Sequence, residues 1–307
     1  MDRRNFIANT VAGSSILLLY SHLLSSCGSK ANEVLNIPDD TPYNMGYISN
    51  SVGFFTERGG TIVWMKSKKG LVIVDTQFPD QSNHLITQLI ANSKRKVDAV
   101  INTHHHGDHT SGNIVFKNLT DKIIAHSNSK KNQENKAIQS QNLDNTLLPN
   151  LTFENDYQIQ VDEEHIKMDY LGPAHTNGDI AVHFENANVV HLGDLIFNRR
   201  FPYIDMAAGA DIENWIIVLD KILKKYSKNT TYVFGHSDNG YDIKGDNNDI
   251  IAFRNYLERL MLFGEDCKKS GKSLEEALLI KTIPGAEEWS GKGIERSIKA
   301  VYEQLSI

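Results

Sequence analysis

Four short apolar runs in this 307-residue chain each deliver an aspartate or a histidine at their carboxyl end. Asp75 closes Leu71-Val72-Ile73-Val74, His104 follows the run that ends at Thr103, Asp194 follows Val189-Val190-His191-Leu192, and His236 follows Tyr232-Val233-Phe234. Short β-branched runs bounded by Gly, Asn or Asp read as strands. Open α/β sheets gather ligands beyond the carboxyl ends of their strands. A chain that repeats this pattern four times is constrained to a fold that brings those ends together.

The wider pattern agrees. Strand character recurs at 61–65, 71–75, 97–102, 122–125, 166–171, 180–184, 189–192 and 231–234. Helical periodicity is predicted at 81–93, 128–140 and 212–226. In the last of these, Trp215, Val218, Leu219, Ile222 and Leu223 fall on one face. From Asp249 on, the chain reads as helix at 250–267, 274–281 and 294–305. The expectation is a mixed α/β domain over 44–307, with the helical C-terminal part either built onto it or forming a separate subdomain. A formal net charge of −6 gives no reason to expect nucleic acid as a partner.

The first residues read differently. Arg3-Arg4 give a basic start, and an apolar stretch runs from Val11 to Leu24. It is shorter than the roughly 20 residues a spanning helix needs. The order of basic, apolar and small residues is that of an export signal. Arg3-Arg4-x-Phe6-Ile7 resembles a twin-arginine signal, and Leu24-Ser25-Ser26-Cys27 resembles a bacterial lipobox. Residues 1–27 are therefore expected to be an export signal and 28–43 a polar tether. The expected location is periplasmic or outer-membrane lipoprotein of a bacterium, with membrane contact only through a lipid anchor at Cys27. The other cysteine, Cys267, reads as a buried apolar residue.

The run His104-His105-His106-Gly107-Asp108-His109 packs four spaced donors into six residues, of the nitrogen and oxygen types that zinc accepts. Three further pieces come in order: His175 in Gly172-Pro173-Ala174-His175-Thr176, Asp194 in Leu192-Gly193-Asp194, and His236 in Phe234-Gly235-His236.

Together these pieces resemble the metallo-β-lactamase fold superfamily, over about residues 50–240. The resemblance implies a four-layer αβ/βα sandwich with a two-metal site at one edge. It implies a first metal on His104, His106 and His175, a second on Asp108, His109 and His236, and Asp194 bridging both. His105 and Gly107 are spacers. Asp75 matches the strand-end aspartate that orients a liganding histidine. Two zinc ions are the expected cofactors, with iron or manganese as alternatives.

The implied chemistry is hydrolysis of an ester, thioester, lactone or β-lactam-type bond of a small molecule by a metal-bridging hydroxide, with Asp108 anchoring it and relaying a proton. True metallo-β-lactamases usually carry cysteine or serine at the bridging position. An aspartate there resembles glyoxalase II-like hydrolases instead. Arg199 and Arg200 lie just beyond the bridging residue and are candidates for gripping a substrate carboxylate. Two alternatives stay open: a mononuclear iron persulfide dioxygenase on the same fold, and a non-catalytic member that binds metal or ligand. His84, His126, His165, His183 and His191 are expected to be surface or packed residues.

Overall fold

The structure is a computed structural model that describes residues 42–90 and 95–306. The expected export signal, the tether up to residue 41 and the last residues of the helix expected at 81–93 lie outside the described residues. Two sheets are stacked between two layers of helices. The first has seven strands in sequence order: β1 (Asn44–Tyr47), β2 (Val52–Thr56), β3 (Ile62–Lys66), β4 (Leu71–Val74), β5 (Ala99–Ile101), β6 (Ile123–His126) and β7 (Leu151–Phe153). The first four pair antiparallel and the rest parallel.

The second sheet contains β8 (Asp156–Val161), β9 (Glu164–Tyr170), β10 (Ile180–Phe184) and β11 (Val189–His191). A short parallel pair, β12 (Phe197–Asn198) and β14 (His236–Ser237), flanks β13 (Thr231–Val233) in the chain. With β15 (Lys244–Gly245), the second sheet runs β15-β13-β11-β10-β9-β8. The helices are α1 (Pro79–Ile90), α2 (Gly107–Thr110), α3 (Ser127–Gln139), α4 (Ile212–Lys225), α5 (Asn247–Lys269), α6 (Leu274–Ala277) and α7 (Ile294–Gln304).

Side-chain alternation builds the layers. Val63, Met65, Val72 and Val74 point inward and meet Met168, Ile180, Val182 and Phe184 of the second sheet. Their neighbours Ile62, Trp64, Leu71 and Ile73 point outward under Leu85 and Leu89 of α1. Strands covered on both faces are apolar throughout. The outer face of the second sheet is covered by α4, which Asp211 caps by accepting from the Asn214 N–H. Trp215, Val218, Leu219 and Ile222 pack there against Phe253, Trp289 and Ile298. The C-terminal helices therefore share the core of the second sheet. Burying a side chain such as Phe253 contributes roughly 2 kcal/mol. The four-layer sandwich is the architecture expected from the sequence.

The structure also differs from expectation in places, among them strands β7, β8, β12 and β15, which the expected runs did not include. The hairpin of β1 and β2 escaped the pattern, because Gly46 and Gly53 interrupt it. A Cβ at Gly53 would sit 2.1 Å from the Trp64 ring, so the glycine makes room for a buried indole. The helix expected at 274–281 stops at Ala277. The chain turns there to bury Ile283, Ala286 and Trp289 while leaving Leu279 exposed.

Candidate metal centre

The strand ends do converge. Asp75, directly after β4, sits at φ +64° and is fully buried. Its Oδ1 accepts from the Thr103 N–H at 2.8 Å, and its Oδ2 accepts from Thr103 Oγ1 and His109 Nδ1, both at 2.7 Å. His191 Nε2 lies 3.4 Å from the same oxygen. Burial alone would raise the Asp75 carboxyl, but His109 and His191 outweigh it and hold it below the usual range.

His104 leaves β5 through Asn102 and Thr103, while Asp108 and His109 occupy the first helical residues after His106. His175 lies in the loop between β9 and β10, Asp194 in the turn after β11, and His236 at the start of β14. Gly235 lets the backbone approach: a Cβ there would stand 2.1 Å from Asp194 Oδ1.

Two donor sets emerge. In the first, His106 Nδ1 lies 3.1 Å from His104 Nε2 and 2.9 Å from His175 Nε2. Asp194 Oδ2 completes it at 3.4 Å from His175 Nε2 and 3.7 Å from His104 Nε2. In the second, His236 Nε2 lies 3.2 Å from Asp108 Oδ2 and 3.5 Å from His109 Nε2. Asp194 Oδ1 completes this set at 3.1 Å from His109 Nε2 and 3.5 Å from His236 Nε2. His104, His106, His175 and Asp194 lie close enough to surround one ion, and so do Asp108, His109 and His236, with Asp194 Oδ1 beside the two histidines.

The spacing tests whether a metal fits. Ligand bonds of 2.0–2.1 Å in tetrahedral geometry put donor atoms roughly 3.3 Å apart; the first set spans 2.9–3.7 Å around that value, and the second is looser, with His109 Nε2 4.0 Å from Asp108 Oδ2. No protein proton can satisfy three imidazole nitrogens facing one another, and Asp194 Oδ1 is buried without an aligned hydrogen bond, although His109 Nε2 stands 3.1 Å away. Both observations are accounted for by cations between the donors.

Electrostatics point the same way. Burial pushes His175 down to about 3, and burial together with the charge of His109 pushes His104 well below its ordinary value, so both present neutral lone pairs. Burial opposes ionisation of Asp194, yet His236, His109 and His104 hold its carboxyl well below the usual range. Burial also opposes a charged His109, but Asp194, Asp75 and Asp108 raise it well above its ordinary value. The proton held there stands where a cation would bind.

Asp205 escaped the sequence reading. Its Oδ2 lies 2.8 Å from His106 Nε2 and 3.6 Å from His105 Nε2, and its Oδ1 accepts from the Ala208 N–H. Burial raises its carboxyl, but the bonds to His105 and His106 more than reverse that. A lone aspartate in the loop Phe201-Pro202-Tyr203-Ile204-Asp205 carries no spacing signal. His105 also turns toward Asp205 and stays out of both donor sets.

The centre opens into a cleft of about 280 Å³, whose walls include Asp108, Asp194, His236 and Arg200. Arg199, the other candidate for gripping a substrate, is not among the residues that line this cleft. Its guanidinium is 2.9 Å from Asp249 and 3.5 Å from Glu288, and it lies over the rings of Tyr241 and Trp289. The remaining histidines join neither set. His84 pairs with Glu57, and His126 accepts from the Asn128 N–H to cap α3. Cys267 is free and buried.

Residues 55–236 match the family model of the Metallo-beta-lactamase superfamily. The chain is 25% identical over 198 residues to metallo-beta-lactamase IND-1 of Chryseobacterium indologenes, covering 62% of this chain and 78% of that protein. It is 27% identical over 183 residues to a metallo-beta-lactamase type 2 of Bacillus cereus, covering 57% of this chain and 66% of that one. Among solved structures it is similar to a metallo-beta-lactamase from Pontibacter korlensis. The TM-score is 0.59 at 18% identity, over 70% of this chain and 99% of the other, a likeness of fold.

Proposed function

Since the chain belongs to the metallo-beta-lactamase superfamily, we propose that this metal-dependent hydrolase works through a dinuclear centre. It cleaves an ester, thioester, lactone or β-lactam-type bond of a small molecule. One observation carries the dinuclear reading: the two carboxylate oxygens of Asp194 face different donor sets. We assign zinc to both positions because the donors are mostly imidazole. Two bound zinc ions supply a Lewis acid and a water that ionises near neutral pH.

The residues do the rest. His104, His106 and His175 would hold one ion and Asp108, His109 and His236 the other, with Asp194 offering one carboxylate oxygen to each set. Asp108 is the one acidic donor with substantial exposure to the cleft, its side chain 32% accessible. It is placed to hold and pass on a proton. Asp75 anchors the His109 ring through Nδ1, leaving Nε2 to face the centre. An aspartate at the bridging position, instead of cysteine or serine, favours glyoxalase II-like ester and thioester chemistry over β-lactams.

We also propose that the chain is exported and lipidated at Cys27, on the basic start at Arg3-Arg4 and the run Leu24-Ser25-Ser26-Cys27. Wild-type protein should take up a fatty-acid label that Cys27→Ala loses; an unlabelled wild type starting at Met1 overturns this. The hydrolase reading is tested by screening zinc-loaded protein against β-lactams, lactones, thioesters and phosphodiesters. Turnover of at least one class supports it. A single tightly bound iron, with oxygen consumed on a persulfide, contradicts it.

A further inference from the structure

The mouth of the cleft carries three cations. Arg200 comes from the loop after β12, and Lys292 and Arg296 from the start of α7. Lys292 and Arg296 lie in the C-terminal part, beyond residue 236 where the family match ends. All three are exposed, and among the described residues none is held in an ion pair. The neighbouring Arg199 shows the contrast, with two carboxylates around it. The Arg296 guanidinium lies 5.2 Å over the ring of Tyr203, which itself lies 5.1 Å from the His106 ring. Gly293, the residue before α7, lines the same cleft and gives that helix no side-chain cap.

Unpaired like charges on one wall repel each other and are left so only where something else meets them. Guanidinium groups match oxyanions through two parallel hydrogen bonds. We propose that Arg200, Lys292 and Arg296 form a recognition subsite for an oxyanion carried by the substrate, remote from the bond cleaved at the metal centre. The proposal rests on the hydrolase reading for its geometry and adds the class of substrate: an anionic acyl compound, held by its charged tail with the scissile bond over Asp108 and Asp194. The C-terminal helical part thus sets specificity.

Two zinc-loaded assays test it with the full chain. The first compares mono(4-nitrophenyl) adipate with 4-nitrophenyl hexanoate, which share scissile bond and leaving group and differ by one remote carboxylate. Wild type should favour the adipate ester in kcat/KM, chiefly through KM. Arg200→Ala, Lys292→Ala and Arg296→Ala should each cut the adipate-to-hexanoate ratio by about ten-fold or more, with zinc content unchanged. Arg296→Lys should recover part of the ratio, and Arg296→Glu should depress it further. A ratio that none of the variants moves overturns the subsite.

The second assay needs no turnover. Calorimetric titration with adipate should show binding that the same variants weaken, and hexanamide should not bind. Hexyl phosphate and hexyl sulfate in the same titration identify the oxyanion preferred. If wild type hydrolyses neither ester while the variants still lose adipate affinity, the subsite stands and ester cleavage, as one arm of the hydrolase reading, is contradicted. If both esters are cleaved with equal kcat/KM and adipate does not bind, the subsite is overturned and the hydrolase reading stands.

Discussion

His106 Nε2 lies 2.8 Å from Oδ2 of Asp205, a residue ninety-nine positions further along the chain. A carboxylate accepting at Nε2 keeps the ring proton there, which leaves the Nδ1 lone pair facing His104 and His175. Asp205 is therefore a positioning residue for one donor set only. Asp205→Ala should weaken the more loosely held of two zinc ions, or create such a site, by about ten- to a hundred-fold in chelator competition. Asp205→Asn should recover part of this, because its amide oxygen still accepts. Equal zinc affinities in wild type and Asp205→Ala would contradict the assignment.

Asp194 acts on both sets, since Oδ1 faces His109 and His236 while Oδ2 faces His104 and His175. Asp194→Ala should lower occupancy of at least one zinc and cut turnover for every substrate. Elemental analysis beside kinetics checks this. A variant that keeps two zinc ions and full activity is incompatible with a bridging role.

Arg199 and Arg200 should separate cleanly in experiment. Arg199 is largely buried at 15% side-chain exposure, between Asp249 and Glu288. Removing one partner from such a set costs about 1–3 kcal/mol. Arg199→Ala should lower Tm by several degrees without changing the adipate-to-hexanoate preference. An unchanged Tm together with a changed preference is the opposite result.

His126 offers a pH test away from the metals. Its Nδ1 accepts from the Asn128 N–H at 3.2 Å, its Nε2 donates to the Glu154 carbonyl at 3.0 Å, and its ring stacks on Tyr170 at 3.9 Å. Burial lowers its pKa from the ordinary 6.5. The folded chain thus binds fewer protons than the unfolded chain below pH 6.5. The stability it contributes is fully present above 6.5 and is lost as pH falls through the window down to the folded value. Protonation at Nδ1 would also cost α3 its cap. His126→Asn keeps an acceptor and removes the titration, so its stability should fall less steeply than wild type on acidification below pH 6.5. Identical slopes in denaturant titrations would rule His126 out.

How much of this was legible depends on distance along the chain. His104 to His109 announce themselves because six consecutive residues carry the donors, and Asp75, Asp194 and His236 each come at the end of a short apolar run. The sandwich was legible only through the resemblance that these motifs carry; strands such as Leu71–Val74, apolar on both faces, give the strand but not the layers. Strand β8 escaped notice although Asp156-Tyr157-Gln158-Ile159-Gln160-Val161 alternates as a half-exposed strand should. Asp205, Lys292 and Arg296 were not legible at all. Asp205 reaches His105 and His106 through a loop, and Lys292 and Arg296 reach the cleft at a helix start whose placement depends on the burial of Trp289 and Ile298 far from any motif. The difference between Arg199 and Arg200 is invisible in the sequence for the same reason: the partners of Arg199 lie at 249 and 288.

The central claim is a pair of metal ions held by seven side chains, and counting the ions tests it most directly. Purified protein reconstituted with zinc and dialysed should retain about two ions per chain. His104→Ala and His236→Ala should each reduce the count toward one. Retention of a single ion, unaffected by one of these two substitutions, would contradict the dinuclear centre.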